Sequence, residues 1–213
     1  AMSVHFDSRD PNIIYVQKRE GDTLWRSTNG GEDWEMILQD VGGEYSKKNE
    51  YIPKFVESPW DDQTIYINLA GVYVSRGRGH TWASTGQLSC SEMFVHPTDS
   101  RYIFSADDDQ GFFRSTDRGQ TWHSAITGIP SVYRISNICA DSHNPSHLWL
   151  VNEKTCHCSD GAMQAVYCSN DYGASWTKMP LISGYDRIYQ LQTSRHIPNR
   201  LFAVATQDDT YRL

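Results

Sequence analysis

Apolar and aromatic residues come in short runs along the chain, separated by polar, turn-forming clusters, and a period of 3.6 never persists over ten residues. One order recurs: a strand, a turn rich in Pro, Asp or Asn, then a second strand. The first copy is Val4-His5-Phe6, Asp10-Pro11-Asn12, Ile14-Tyr15-Val16, and the second is Lys54-Phe55-Val56, Trp60-Asp61-Asp62, Ile65-Tyr66-Ile67. The third is Met93-Phe94-Val95, Pro97-Thr98-Asp99, Tyr102-Ile103-Phe104, and the fourth Ile138-Cys139-Ala140, His143-Asn144-Pro145, Leu148-Trp149-Leu150. A fifth starts at Tyr189-Gln190-Leu191, turns at Ile197-Pro198-Asn199 and resumes at Leu201-Phe202-Ala203-Val204.

A third strand signal (Leu24-Trp25-Arg26, Val72-Tyr73-Val74, Phe112-Phe113-Arg114, Val166-Tyr167-Cys168) leads each time into one motif. Ser115-Thr116-Asp117-Arg118-Gly119-Gln120-Thr121-Trp122 and Ser169-Asn170-Asp171-Tyr172-Gly173-Ala174-Ser175-Trp176 read Ser-x-Asp-x-Gly-x-Thr/Ser-Trp, an Asp-box. Ser27, Asn29, Gly31 and Trp34 form a copy with Asn for Asp; Ser75, Gly79 and Trp82 belong to one that has lost the acid. The copies lie 48, 40 and 54 residues apart (Ser27, Ser75, Ser115, Ser169), and four matches at such intervals mark a structural repeat. A hairpin loop explains the motif: the Asp accepts backbone N–H bonds of its own turn, the Gly supplies φ > 0, and the Trp packs inward on the returning strand. The box acids are therefore read as structural, not catalytic.

Four short antiparallel strands per unit of 40 to 50 residues describe a β-propeller blade, so the fold class is all-β. Blades are expected at about 3–45, 51–88, 91–130 and 135–182, with a partial fifth at 187–213. The half-written fifth blade makes the chain read as a fragment of a larger propeller, its open edge covered by further chain or by a second copy. The long hairpin from about 152 to 164 and the link from 39 to 51 are candidate surface insertions.

Net charge is −7 without a Lys/Arg run longer than Lys47-Lys48, which argues against nucleic acid and acidic membranes as partners. Seven Trp and twelve Tyr fit packed β-structure. Five cysteines, Cys90, Cys139, Cys156, Cys158 and Cys168, suit a disulfide framework better than zinc: Cys156-His157-Cys158 lacks the usual ligand spacer. A bridge from Cys139 to Cys156 or Cys158 would staple the long hairpin to its blade; the pairing of Cys168 stays open, and Cys90 is the candidate for the odd thiol. No metal or cofactor is expected.

The boxes, the strand order and the cysteine-bearing fourth hairpin together resemble the luminal ligand-binding domain of Vps10/sortilin-type sorting receptors. The third and fourth units are most similar, from Met93-Phe94-Val95-His96-Pro97 to Trp176. The resemblance implies a large ten-bladed propeller that binds protein or peptide cargo in the lumen of Golgi and endosomes for vesicular transport. It also implies that Arg212 holds a cargo C-terminal carboxylate, a match for a guanidinium fork. The second box departs from the family, and no Asn-x-Ser/Thr sequon supports a luminal address.

The rival is a carbohydrate-active Asp-box propeller, a sialidase- or xyloglucanase-like glycoside hydrolase. That chemistry needs paired carboxylates. Glu20, Asp22, Asp61, Asp107 and Asp108 qualify by type, but nothing in the sequence pairs them. Arg26 and Arg114 recur just before the box, which points to structure; Arg134 stands apart. With no nucleophile signature and no phosphate loop, the expectation is a binding module and not an enzyme. His5, His96, His143 and His196 recur beside the first turns and are expected to cap them. His157 is the candidate for pH-driven cargo release.

Overall fold

The computed structural model describes residues 2–18, 23–39, 55–68, 71–86, 90, 92–107, 111–130, 134–153, 164–180, 187–207 and 210–212. These residues form five antiparallel sheets, each a β-propeller blade. The first holds β1 (Met2–Phe6), β2 (Ile14–Lys18), β3 (Thr23–Ser27) and β4 (Glu35–Leu38); the second β5 (Phe55–Glu57), β6 (Ile65–Asn68), β7 (Val72–Ser75) and β8 (Ala83–Ser84). The third holds β9 (Glu92–Val95), β10 (Ile103–Asp107), β11 (Gly111–Ser115) and β12 (His123–Ser124); the fourth β13 (Arg134–Ala140), β14 (Leu148–Glu153), β15 (Gln164–Ser169) and β16 (Thr177–Lys178). The fifth is three-stranded: β17 (Arg187–Thr193), β18 (Leu201–Gln207) and β19 (Thr210–Arg212). Neighbouring strands in each sheet are consecutive in sequence, so every blade is a meander. Strands β5, β9, β13 and β17 lie side by side from blade to blade and are the innermost.

The hydrophobic core lies between the blades. Ile13, Tyr15 and Leu24 of the first meet Ile65 and Ile67 of the second; Tyr66, Val72 and Val74 meet Met93, Val95 and Ile103. Phe104, Phe112, Ala125 and Ile129 of the third close on Leu148, Leu150, Tyr167 and Trp176 of the fourth, and Trp149, Val151 and Val166 close on Leu191. A blade alone exposes both its faces, so adjacent blades stabilise one another.

The box loops show why the motif is spaced as it is. Ser115 Oγ accepts the Gly119 N–H at 2.8 Å and donates to Asp117 Oδ1 at 2.8 Å, while Asp117 accepts the N–H groups of Gln120 and Thr121 and the Thr121 hydroxyl. Burial alone would raise the Asp117 carboxyl, but these donors, led by Thr121, outweigh it and hold the group at about 2. Ser169, Asp171 and Ser175 repeat the pattern, and in the first blade Asn29 Oδ1 takes the carboxylate's place, accepting from the Ser27 hydroxyl and the Asp33 N–H. In the second box Ser75 still accepts the Gly79 N–H, so the loop survives loss of its acid.

Two features of the box are absent from its consensus. The residue before the motif glycine is also left-handed: Gly30, Arg78, Arg118 and Tyr172 all have positive φ. Its N–H donates to the first turn of the same blade, at Asn12, Gln63, Arg101 and Ser146, and its carbonyl can serve the preceding blade. Arg26 donates to the Arg78 carbonyl, Arg76 to that of Arg118 at 3.3 Å, and Arg114 to that of Tyr172 at 2.9 Å. The box tryptophans lean on the preceding blade as well. Trp176 is 3% exposed, whereas Trp34, with no sheet before it among the described residues, is 40% exposed. The expectation of an inward-packed Trp is corrected at that position.

The first turns are capped at one repeat position: Asp7, Ser58, His96, Asp141 and Ser194 each accept backbone N–H groups two or three residues ahead. Of the four histidines expected to cap, only His96 does. His5 stacks on Phe55, the His143 N–H donates to Asp141, and that of His196 donates to Ser194.

His96 is fully buried between three blades: Trp60 Nε1 donates to its carbonyl, and its Nε2 lies 2.7 Å from the Pro145 carbonyl. Because Nδ1 accepts two N–H groups, Nε2 carries the proton and the ring is neutral. Burial lowers its pKa below the ordinary 6.5, against opposing pulls from Pro145 and Asp99. A depressed histidine leaves the unfolded chain binding more protons, so stability is full above about pH 6.5 and falls as pH drops towards the folded value. Melting temperatures from pH 7.5 to 5 should decline below 6.5, and His96→Asn, whose side-chain oxygen can cap without titrating, should flatten that decline. An unchanged slope would show that the His96 environment does not set it; His5, also lowered by burial, would then carry it.

Candidate functional site

At the blade ends opposite the box loops, the innermost strands of the fourth and fifth blades depart from regular pairing in the same way. β13 is bulged between Ile135 and Asn137, and β17 between Ile188 and Gln190. The extra residues are Ser136 and Tyr189. Bulges re-aim side chains and often border functional sites. Each bulge follows an exposed arginine, Arg134 and Arg187, at the start of its strand.

The fourth blade supports this wall. Gln164 Nε2 donates to the Ile188 carbonyl at 3.1 Å and its Oε1 accepts the Ile188 N–H at 2.5 Å, so one amide satisfies the backbone beside the bulge. Asn137 Oδ1 accepts the Leu191 N–H at 3.0 Å. Glu153, its side chain 10% exposed, is Cα-paired with Arg134 across the sheet and accepts from Arg187 at 2.6 Å. The Arg187 guanidinium lies 5.3 Å from the centre of the Tyr189 ring, and Tyr189 is 46% exposed on the innermost strand. A solvent-facing aromatic ring with a half-exposed guanidinium against it suits a ligand with flat apolar faces and polar edges.

None of these residues was singled out for function in the sequence except Arg134. The signal is nonetheless present: Arg134-Ile135-Ser136-Asn137 and Arg187-Ile188-Tyr189-Gln190 are related copies, offset by one repeat.

The sequence-predicted candidates fall elsewhere. Asp61 accepts the N–H groups of Gln63 and Thr64, and Asp62 is ion-paired to Arg78 at 2.6 Å, so both serve the box face. Asp107 ends β10 opposite Gly111. Glu20, Asp22, Asp108, His157, Cys156 and Cys158 lie outside the described residues. Arg212 belongs to β19, its backbone facing Ala205.

The expected partners of Cys139, Cys156 and Cys158, lie outside the described residues, and Cys139 and Cys168 carry free thiols. Those two flank Trp149 from the strands on either side of β14, and two strand spacings of about 4.8 Å place them beyond disulfide reach of each other. Burial pushes the Cys139 thiol up to about 12, so it is an inert core group.

Meandering four-stranded blades, each with a box loop between its third and fourth strands and packed side by side through their first strands, define a β-propeller repeat protein. Residues 70–212 match the Sortilin-Vps10 family, described as sortilin, neurotensin receptor 3, and the chain belongs to that family. Among curated relatives, a vacuolar protein sorting/targeting protein 10 from Laccaria bicolor is 34% identical over 62 residues, covering 28% of this chain and 4% of its own. A xyloglucanase from a Paenibacillus species is 24% identical over 213 residues, covering 82% of this chain and 20% of its own. One from Hypocrea jecorina is 26% identical over 181 residues, covering 84% and 19%. The chain thus spans about a fifth of the length of these two xyloglucanases.

Among solved structures, the Niastella koreensis GH74 enzyme aligns with a TM-score of 0.60 at 16% identity, over 98% of this chain and 28% of that one. YCF48 bound to D1 peptide aligns at 0.56 and 14%, over 95% and 59%. Both likenesses show the fold. The xyloglucanase relatives overturn the expectation that the chain is not an enzyme: they point to a glycoside hydrolase.

Proposed function

We propose that the protein is a polysaccharide-degrading glycoside hydrolase and that the bulged wall of the fourth and fifth blades is part of its glycan-binding surface. The observation that carries this reading is Tyr189, an exposed aromatic ring on the innermost strand, set beside Arg187, which Glu153 holds in place. A pyranose ring presents apolar C–H faces to an aromatic plane and hydroxyls to the polar groups around it. The xyloglucanase relatives support the same class of substrate. Hydrolysis itself uses two carboxylates about 5 to 9.5 Å apart; the proposal assigns that pair to the whole protein and gives this stretch the task of holding the polymer.

The test is turnover of a panel of neutral and acidic plant polysaccharides by the protein and by Tyr189→Ala. Loss of a stacking contact made equally in ground and transition states should raise KM about tenfold with kcat little changed. An unchanged KM would remove Tyr189 from the binding surface.

A second reading is favoured by the family match and the Laccaria relative: a luminal or extracellular receptor domain that binds protein or peptide cargo, with Arg212 holding a cargo carboxylate. Binding of a peptide with all polysaccharides left intact would select it.

A further inference from the structure

We infer that Arg134 and Arg187 form a two-guanidinium seat for a carboxylate carried by the bound polysaccharide, so that the substrate is a uronate-bearing glycan. This rests on the glycan reading above and adds the substrate class.

The two arginines occupy the same repeat position on adjacent innermost strands, each directly before a bulged dipeptide. A third group links them. Glu153 is the cross-strand partner of Arg134 and the ion-pair partner of Arg187 at 2.6 Å. Cross-strand partners have Cβ atoms about 5 Å apart, which puts both arginine side chains around a single glutamate. Two guanidiniums and one carboxylate leave the cluster with a charge of about +1 on a chain whose net charge is −7.

The glutamate anchors the seat. Its side chain is nine-tenths buried and holds Arg187 in place, while Arg187 itself stays half exposed. A guanidinium has five N–H donors in a planar fork, and the bond to Glu153 leaves others free to turn outward. Arg134 is exposed and has no ion pair or hydrogen bond among the described residues, so its fork is available.

The neighbouring Tyr189 identifies the kind of molecule that brings the carboxylate. Its ring lies against Arg187, so a ligand touching both must carry a flat face and an anionic group within one residue's length. A hexuronate unit meets that description: the ring stacks, and the carboxylate on C5 projects from its edge. A neutral hexose offers the same face and no charge.

The experiment is calorimetric titration of the protein at low ionic strength with hexagalacturonate, its fully methyl-esterified form, and a neutral xyloglucan oligosaccharide. Peptides with free and amidated C-termini serve as further probes. The free hexagalacturonate should bind about tenfold more tightly than its ester, as charge-assisted bonds to a fork require. Arg134→Gln should abolish that preference without lowering the melting temperature or the affinity for the ester. Arg187→Lys, which keeps the charge facing Glu153 but loses the fork, should reduce it. Equal affinity for acid and ester would overturn the seat and leave the glycan reading standing. Binding of none of the saccharides would overturn both. Binding of the free-carboxylate peptide but not the amidated one, with no saccharide bound, would reassign the seat to a protein ligand.

Discussion

Gly128→Ala should lower the melting temperature by about 6–12 °C, a loss of roughly 3 kcal/mol for a chain of this size. Gly128 lies in the segment that follows β12 and presses against the end of the fourth blade's box loop, just before β16. A Cβ built there would sit 1.9 Å from the Trp176 carbonyl oxygen and 2.9 Å from its carbon. Those atoms are backbone, and they are held: the Trp176 N–H donates to the Thr127 carbonyl at 2.8 Å, so the segment and the box loop cannot separate without losing a bond. At φ +90 the position also disfavours any side chain. Gly111→Ala is the matched control. It shares a positive φ of +98, but nothing lies within 4 Å of its Cβ, so only the backbone cost of about 1–2 kcal/mol should appear. Equal losses at the two glycines would mean that the blade contact at Gly128 contributes nothing, contrary to the interface described.

Trp176→Ala should cost about 3–5 kcal/mol. The indole fills the interface of the third and fourth blades, 5.9 Å from the Phe112 ring centre, and its Nε1 donates to the Ala125 carbonyl at 3.0 Å. Truncation opens a cavity and strands that buried carbonyl. Trp34→Ala changes the same motif position at a residue 40% exposed, whose Nε1 only reaches Gly31 in its own loop, and should cost about 1 kcal/mol or less. Chemical denaturation of both variants separates two roles for the box tryptophan. If the two losses match, it stabilises its own loop; if Trp176 dominates, it joins blades.

The repeat was legible because hairpin loops place chemistry at fixed offsets. Ser, Asp and Gly must stand two residues apart for one hydroxyl and one carboxylate to collect the loop's N–H groups, and that spacing survives even where Gly77 has replaced the acid. The capping position was not legible, since Asp7, Ser58, His96, Asp141 and Ser194 solve one hydrogen-bonding problem with three side-chain types. Of the four histidines near the turns, only the His96 ring accepts the turn's N–H groups; at His143 and His196 the cap is the residue two before. The left-handed residue before the motif glycine leaves no mark in the sequence either, because Arg78, Arg118 and Tyr172 give no hint of φ > 0.

The candidate site was hidden for a different reason. A bulge breaks the alternation by which a strand is read: Tyr189 and Gln190 are both exposed, so β17 shows no clean inside and outside. Gln164 and Glu153, which hold the wall, look in sequence like ordinary polar residues at hairpin ends. Only the register reveals that Glu153 stands between two arginines.

The most direct test of the functional account is release of new reducing ends from neutral and acidic plant polysaccharides by the protein. The account predicts release from at least one of them, with product still accumulating after extended incubation and lost activity in Tyr189→Ala recovered at high substrate. No release from any polysaccharide would contradict it and leave the receptor reading in its place.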